Sequence, residues 1–138
     1  MYKKLPFLLL IILCSACKKN QQKSACGTQV CTALFASIGI GFIDKNNTPI
    51  DVTNFEEVDL RTNKVMTHTY SPGIDYVPGY KIIADDGDLK NLTTEGDSIK
   101  ITATNPATGQ IKVTMYKIAG GCNCHVSKVS GPEQIKFD

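Results

Sequence analysis

The chain has 138 residues, and its formal net charge of +2 comes from the amino-terminal end. Two of its fifteen basic residues, Lys3 and Lys4, lie among the first sixteen, which leaves thirteen basic against thirteen acidic residues in the remainder. A neutral remainder without a basic stripe excludes nucleic acid as the expected partner, and its length is that of one domain with a single core.

The first seventeen residues have the organisation of an export signal. Lys3 and Lys4 precede an apolar run, Leu5 to Leu13, which is too short to span a bilayer. The segment Cys14-Ser15-Ala16-Cys17 resembles the lipobox of bacterial lipoproteins. That resemblance implies that residues 1–16 are a signal peptide and that Cys17, acylated on its sulfur (palmitate) and its amino group, is the membrane anchor. A soluble secreted protein in which Cys17 is an ordinary thiol is the alternative.

Residues 17–25 are interpreted as the lipidated cysteine and a flexible tether, because Lys18 to Ser24 is polar and has nothing to bury. Lipoproteins retained in the inner membrane of enterobacteria carry Asp after the acylated cysteine. Lys18 at that position therefore favours the outer membrane. The expected location is the cell envelope, with a lipid anchor and a single domain at residues 26–138.

Period-two alternation of apolar residues predicts an all-β domain. Apolar residues of one parity run from Leu34 to Phe42, and the alternating runs Ile99 to Ala103 and Ile111 to Met115 flank a turn at 105–109. These two runs predict a hairpin. Its expected inward-facing side chains are Ile99, Ile101, Ala103, Ile111, Val113 and Met115.

The same pattern assigns the segments between these runs. The predicted inward residues are Val58, Leu60, Tyr80, Ile82 and Ala84, and the predicted outward residues are Glu57, Asp59 and Arg61. Thr62-Asn63 is expected at the tip of a hairpin. Because no segment of the domain shows a helical period with caps, about seven short strands predict a single antiparallel β-sandwich.

Two segments of the domain resemble known families. The run Ile38-Gly39-Ile40-Gly41-Phe42-Ile43-Asp44, followed by Asn47-Thr48-Pro49-Ile50, resembles the opening of carboxypeptidase-regulatory-like and transthyretin-like domains. The ending, Cys122-Asn123-Cys124-His125-Val126 with Ser130 to Ile135, resembles that of small lipoproteins of the Bacteroidota type. These resemblances imply an immunoglobulin-like or transthyretin-like sandwich and an envelope location, and they imply no activity.

Cys26, Cys31, Cys122 and Cys124 remain once the leader and the anchor are set aside. An even number of cysteines in an exported chain predicts two disulfides, because the compartment beyond the inner membrane is oxidising. Four cysteines allow three pairings. The immunoglobulin-like resemblance would bring the first and last strands together and so suggests bonds such as Cys26 to Cys122 and Cys31 to Cys124. Cys122 and Cys124 are expected on one face of a strand.

A metal site is the alternative use of these four thiols. Together with His125 they would suit zinc or copper(I) if they stayed reduced, and the protein would then handle a metal or redox equivalents. The Cys122-Asn123-Cys124 spacing lacks the two-residue spacer of zinc knuckles, and with His125 it falls one residue short of the haem-attachment motif. No cofactor is therefore expected.

Two acidic loops offer oxygen ligands for calcium. Asp85-Asp86-Gly87-Asp88 and Asp44-Lys45-Asn46-Asn47 cluster such groups, but neither follows the EF-hand register. Turn formation is the favoured interpretation of both.

The sequence offers no motif for catalysis, since His68 and His125 are its only histidines and no nucleophile elbow or phosphate loop is present. The predicted function is a non-catalytic binding or structural module with a protein or glycan partner. Tyr70 and Tyr76, beside Pro-Gly-type turns, are candidates for a binding surface, whereas Tyr80 is expected to pack in the core.

Overall fold

The structure, a computed structural model, describes residues 26–68 and 77–138. The predicted leader, the anchor Cys17, the tether and the two tyrosines Tyr70 and Tyr76 lie outside the described residues. Within the described ranges, no helix is both long enough and apolar enough to cross a membrane.

Eight strands are present among the described residues, and they form two sheets. Their bounds are β1 Ser37–Ile43, β2 Thr53–Asp59, β3 Lys64–Val65, β4 Tyr80–Asp85, β5 Asp97–Thr104, β6 Ile111–Ala119, β7 Ser127–Ser130 and β8 Gln134–Lys136. One sheet has the order β4-β1-β8 and the other the order β3-β2-β5-β6-β7. All neighbouring strands are antiparallel except β1 and β8, which run parallel. The predicted all-β sandwich is confirmed.

The core lies between the two sheets and draws on both. Its buried members include Ile40, Phe42, Ile83, Ala84, Ile99, Ile101, Ala103, Tyr116, Ile118, Ile135 and Phe137. The predicted inward set of β5 is confirmed, because all three of its apolar side chains belong to this cluster. The predicted hairpin tip is also confirmed, since β2 and β3 pair on either side of residues 60–63.

The prediction for β6 was wrong in phase. Ile111, Val113 and Met115 are exposed. In the hairpin register, Ile99 lies opposite Tyr116 and Ile101 lies opposite Thr114. Cross-strand partners share one face of a sheet, so the inner face of β6 carries the even-numbered residues.

The prediction for β2 was wrong in phase. Glu57 and Asp59, predicted to face outward, are buried opposite Ile101 and Ile99. Val58, predicted to face inward, lies opposite Lys100 on the other face, and Leu60 is exposed. Arg61 is exposed as predicted. The pairing register between β2 and β5 shifts between Thr53 and Glu56. That irregularity places Glu57 opposite Ile101, on the inner face of the sheet.

The prediction for β4 was wrong for Tyr80, which is exposed, and for Ile82, which is only half-buried. Ile38 pairs with Ala84 while Gly39 pairs with Ile82, so that Ile83 is an extra residue in a β-bulge. Ile83 is completely buried in its place. The ring of Tyr80 covers Gly39, where a larger side chain would collide with it.

Candidate functional site at the stapled amino-terminal strap

The chain enters the sandwich through residues 26–36, here called the strap, which precede β1. Cys26 is bonded to Cys122 and Cys31 to Cys124, each pair with its Cα atoms 5.2 Å apart. The predicted disulfides are therefore present. Their pairing is the one that the immunoglobulin-like resemblance suggested.

The partner cysteines do not lie on a strand, contrary to the prediction. Cys122 and Cys124 belong to the loop of residues 120–126 between β6 and β7, here called the β6–β7 loop. Gly121 has a φ of 60°, a conformation that glycine adopts without strain, and it ends the extended run of β6. The backbone N–H of Cys122 then donates to Thr94 Oγ1 at 3.0 Å, which fixes the loop against the segment before β5.

His125 links the β6–β7 loop to two other parts of the chain. Its Nε2 lies 2.7 Å from Thr32 Oγ1 in the strap, and its Nδ1 lies 2.7 Å from Asp86 Oδ2. Asp86 opens the three-residue 3-10 turn Asp86–Asp88 that follows β4. A hydroxyl, an imidazole and a carboxylate are thus aligned through 2.7 Å contacts.

Asp86 is the point where three segments meet. Besides His125, its carboxylate accepts the backbone N–H of Ala36 at 2.9 Å and that of Val126 at 2.9 Å. The N–H of Ala36 lowers the pKa of Asp86, burial opposes this, and His125 and Val126 lower the pKa further. These contacts hold the strap, the 3-10 turn and the β6–β7 loop together.

The chemistry open to this cluster follows from which groups are already bonded. All four sulfur atoms are in disulfides, so a metal site made from Cys26, Cys31, Cys122, Cys124 and His125 would require their prior reduction. Within residues 26–68 and 77–138, no group of three or more His, Cys, Asp or Glu side chains is arranged to hold a metal ion. The carboxylate of Asp86 contacts two backbone N–H groups and His125, so its role in the structure is to connect these segments.

The acidic loops form turns, as their favoured interpretation predicted. Asp85 Oδ1 accepts the N–H of Gly87 at 2.7 Å, and Asp88 Oδ2 accepts the N–H of Asp85 at 2.9 Å. Asp44 Oδ1 accepts the N–H groups of Asn46 and Thr48, each at 2.8 Å. The Thr48 N–H is the main cause that lowers the pKa of Asp44.

A second polar cluster, which the sequence reasoning missed, lies at a cleft beside β2. His68 Nε2 lies 3.0 Å from Glu57 Oε2, and its Nδ1 lies 3.7 Å from Asp88 Oδ2. Burial raises the pKa of Glu57, while the hydrogen bond to Glu57 raises the pKa of His68. The cleft has a volume of about 210 Å³ and is lined by Phe55, Glu56, Glu57, Val65, Met66, Thr67 and His68.

No sequence signal marked this second cluster. Glu57 was assigned to the outer face by alternation, and only the register shift in β2 turns it inward. The contact between Glu57 and His68 depends on the position of that irregularity, which the sequence does not reveal.

Comparisons of the chain with protein-family models, with curated proteins and with solved structures found no match.

Proposed function

We propose that the protein is a lipoprotein of the cell envelope, anchored in the outer membrane through Cys17, whose stapled sandwich is a non-catalytic binding or structural module. The observation that supports this most is the pair of disulfides between the strap and the β6–β7 loop. Disulfides persist in secreted and periplasmic compartments and are rare in the cytosol. They agree with the lipobox-like sequence that ends at Cys17.

The location of the two disulfides supports the same proposal. Cys26, the first stapled residue, follows Cys17 by nine residues, so the anchor and the disulfides act on the same end of the domain. The lipid anchor is attached next to the strap, and the two disulfides connect the strap covalently to the β6–β7 loop. The expected partner of the domain is a protein or a glycan.

Metabolic labelling tests the anchor. Cells that express the full chain are grown with labelled palmitate, and the purified protein is expected to carry the label. Cys17→Ser should abolish incorporation, because the acylated sulfur is then missing. The matched control Cys14→Ser changes a cysteine of the same short segment and should retain the label. Label that survives Cys17→Ser would show that the anchor has been assigned to the wrong residue.

A metal- or redox-handling lipoprotein is the second candidate, and one observation favours it. Both disulfides end in the loop that also carries His125. Reduction would therefore give free thiols at Cys122 and Cys124 in the same short segment as an imidazole. A free-thiol assay on protein purified without reductant separates the candidates. No reactive thiol supports the binding module, whereas four thiols with bound zinc or copper support the metal site.

A further inference from the structure

The strap exposes apolar side chains that the sandwich does not cover. Val30 is 98% exposed, Leu34 76% and Phe35 72%, which makes them the most exposed large hydrophobic residues among those described. All positions from 27 to 35 are exposed, and Ala36 is the first residue after Cys26 to pack against the core. Burial in the sandwich therefore does not hold this segment in place.

Bonds other than hydrophobic contacts keep the strap on the domain. Two disulfides, the Thr32–His125 hydrogen bond and the N–H of Ala36 on Asp86 attach it. The apolar side chains are thus held at one place on the domain while they remain in contact with water. A fixed apolar surface of this kind is typical of a site that meets another apolar phase.

The position of the strap in the chain indicates which phase that is. Cys26 lies nine positions after Cys17, and a fully extended chain of that length spans at most about 30 Å. Lys18, Lys19 and Lys23 lie between the two cysteines, and the first acidic residue of the chain is Asp44. A short basic tether without acidic residues is attracted to the anionic headgroups of a bilayer.

We infer that the strap is the membrane-contacting edge of the protein. Val30, Leu34 and Phe35 enter the headgroup region of the bilayer that holds the acylated Cys17, and the disulfides transmit that contact to the sandwich. Acyl chains on both the sulfur and the amino group of Cys17 already make the attachment stable, so the contact of the strap serves to orient the domain. The sandwich is then held in one orientation with its β6–β7 loop toward the membrane. This inference deepens the proposed function and rests on its lipid anchor.

Tryptophan fluorescence tests the inference, because the chain contains no tryptophan. Val30→Trp and Phe35→Trp place single reporters on the strap at exposed positions. Ile111→Trp is the matched control, since Ile111 is 63% exposed and begins the nine-residue strand β6, at the end remote from the β6–β7 loop. A strand of that length spans roughly 27 Å.

Each full-length variant is incorporated into vesicles of phosphatidylethanolamine and phosphatidylglycerol that contain lipids brominated near the headgroup. Emission from Val30→Trp and Phe35→Trp is expected to shift to the blue and to be quenched by the brominated lipids. Emission from Ile111→Trp should show neither effect. Reduction of the disulfides should weaken the quenching of the Phe35→Trp variant, because the disulfides, and not only the tether, hold the strap at the bilayer.

The outcomes separate this inference from the anchor assignment. If palmitate is incorporated but the strap reporters stay as water-exposed as the Ile111→Trp control, the inference is overturned and the anchor stands. If all three reporters are quenched alike, the strap has no special role and the inference is again overturned. If the strap reporters are quenched in protein that carries no palmitate, the membrane contact stands and the anchor assignment fails.

Discussion

Gly131 leaves free the space that the ring of Tyr116 occupies. A Cβ atom at position 131 would lie 2.7 Å from Cε1 of that buried ring, and the φ of Gly131 is 129°. The hydroxyl of Tyr116 donates to the carbonyl of Pro132 at 2.9 Å. One buried tyrosine therefore fixes the turn through which the chain passes from β7 to β8, from one sheet to the other.

The substitution Gly131→Ala is expected to destabilise the domain strongly, because it adds a collision with Tyr116 to the backbone strain. We expect a loss of about 3 kcal/mol in the free energy of unfolding, measured by urea denaturation. Gly109→Ala is the matched control: Gly109 has a φ of 72° and no atom within 4 Å of its Cβ position. Strain alone should cost the control about 1 kcal/mol. Equal losses would show that the ring does not occupy that space.

The contributions of the two disulfides to the free energy of unfolding are expected to be non-additive. The reason is that the two bonds close almost the same loop, with sequence separations of 96 and 93. While one bond remains, removal of the other opens only the short ring of residues 26–31 and 122–124. Cys26→Ser/Cys122→Ser should therefore lose about 2.5 kcal/mol of unfolding free energy. Removal of both bonds should lose about 7 kcal/mol, since the long loop then opens as well.

Mismatched cysteine variants check the pairing itself. Cys26→Ser/Cys122→Ser removes one whole bond and should leave no free thiol in the domain. Cys26→Ser/Cys124→Ser takes one partner from each bond and should leave two free thiols, at Cys31 and Cys122. Thiol titration under denaturing conditions distinguishes the two variants. The reverse result would mean that Cys26 pairs with Cys124.

Alternation along single strands predicted much of the fold, because β1 and β5 bury one face each. Ile99 and Ile101 are completely buried, and the neighbouring Thr102 is not. Alternation failed where a strand carries apolar residues of both parities. In β6, Val113 and Tyr116 belong to opposite faces, and only pairing with β5 decides which face is buried.

Irregular pairing explains the other failures. The bulge at Ile83 puts Tyr80 and Ile82 on the face opposite to that of Ala84, which is buried as predicted. The register shift before Glu57 reverses the faces of the residues that follow it. Such irregularities depend on contacts with the facing strand, and a single strand's sequence does not encode them. The cysteines of the site could be predicted from their even number and from the export that the leader sequence predicts. Asp86 and Thr32 could not be predicted, because tertiary structure brings them to His125.

The corrected phase of β6 predicts a sharp contrast between two of its apolar residues. Ile118 is completely buried between the sheets, so Ile118→Ala should lose about 2 to 5 kcal/mol of unfolding free energy. Val113 is exposed on the opposite face, so Val113→Ala should change it by no more than about 0.5 kcal/mol. Thermal or urea unfolding of the two variants gives the comparison. A larger loss for Val113→Ala would restore the phase that the sequence predicted.

The cluster of Glu57 and His68 predicts that the domain becomes less stable as the pH rises. The folded protein raises the pKa of His68 above 6.5, chiefly through its hydrogen bond to Glu57, and burial raises the pKa of Glu57 above 4.5. Both groups therefore bind protons more tightly in the folded state than in the unfolded state. Their stabilisation is fully present below the unfolded pKa values and is lost as the pH rises through the folded ones.

His68→Gln tests this dependence, because glutamine keeps a polar group beside Glu57 but does not titrate. Urea unfolding between pH 5 and about pH 8 should show a fall in stability with rising pH for the native chain, and a flatter profile for His68→Gln. Met66→Leu, in the same cleft, alters no titratable group and should keep the native slope. If His68→Gln has the native slope as well, His68 does not cause the pH dependence. Because Asp88 lies 3.7 Å from the same imidazole, Asp88→Asn should reduce the slope less than His68→Gln does.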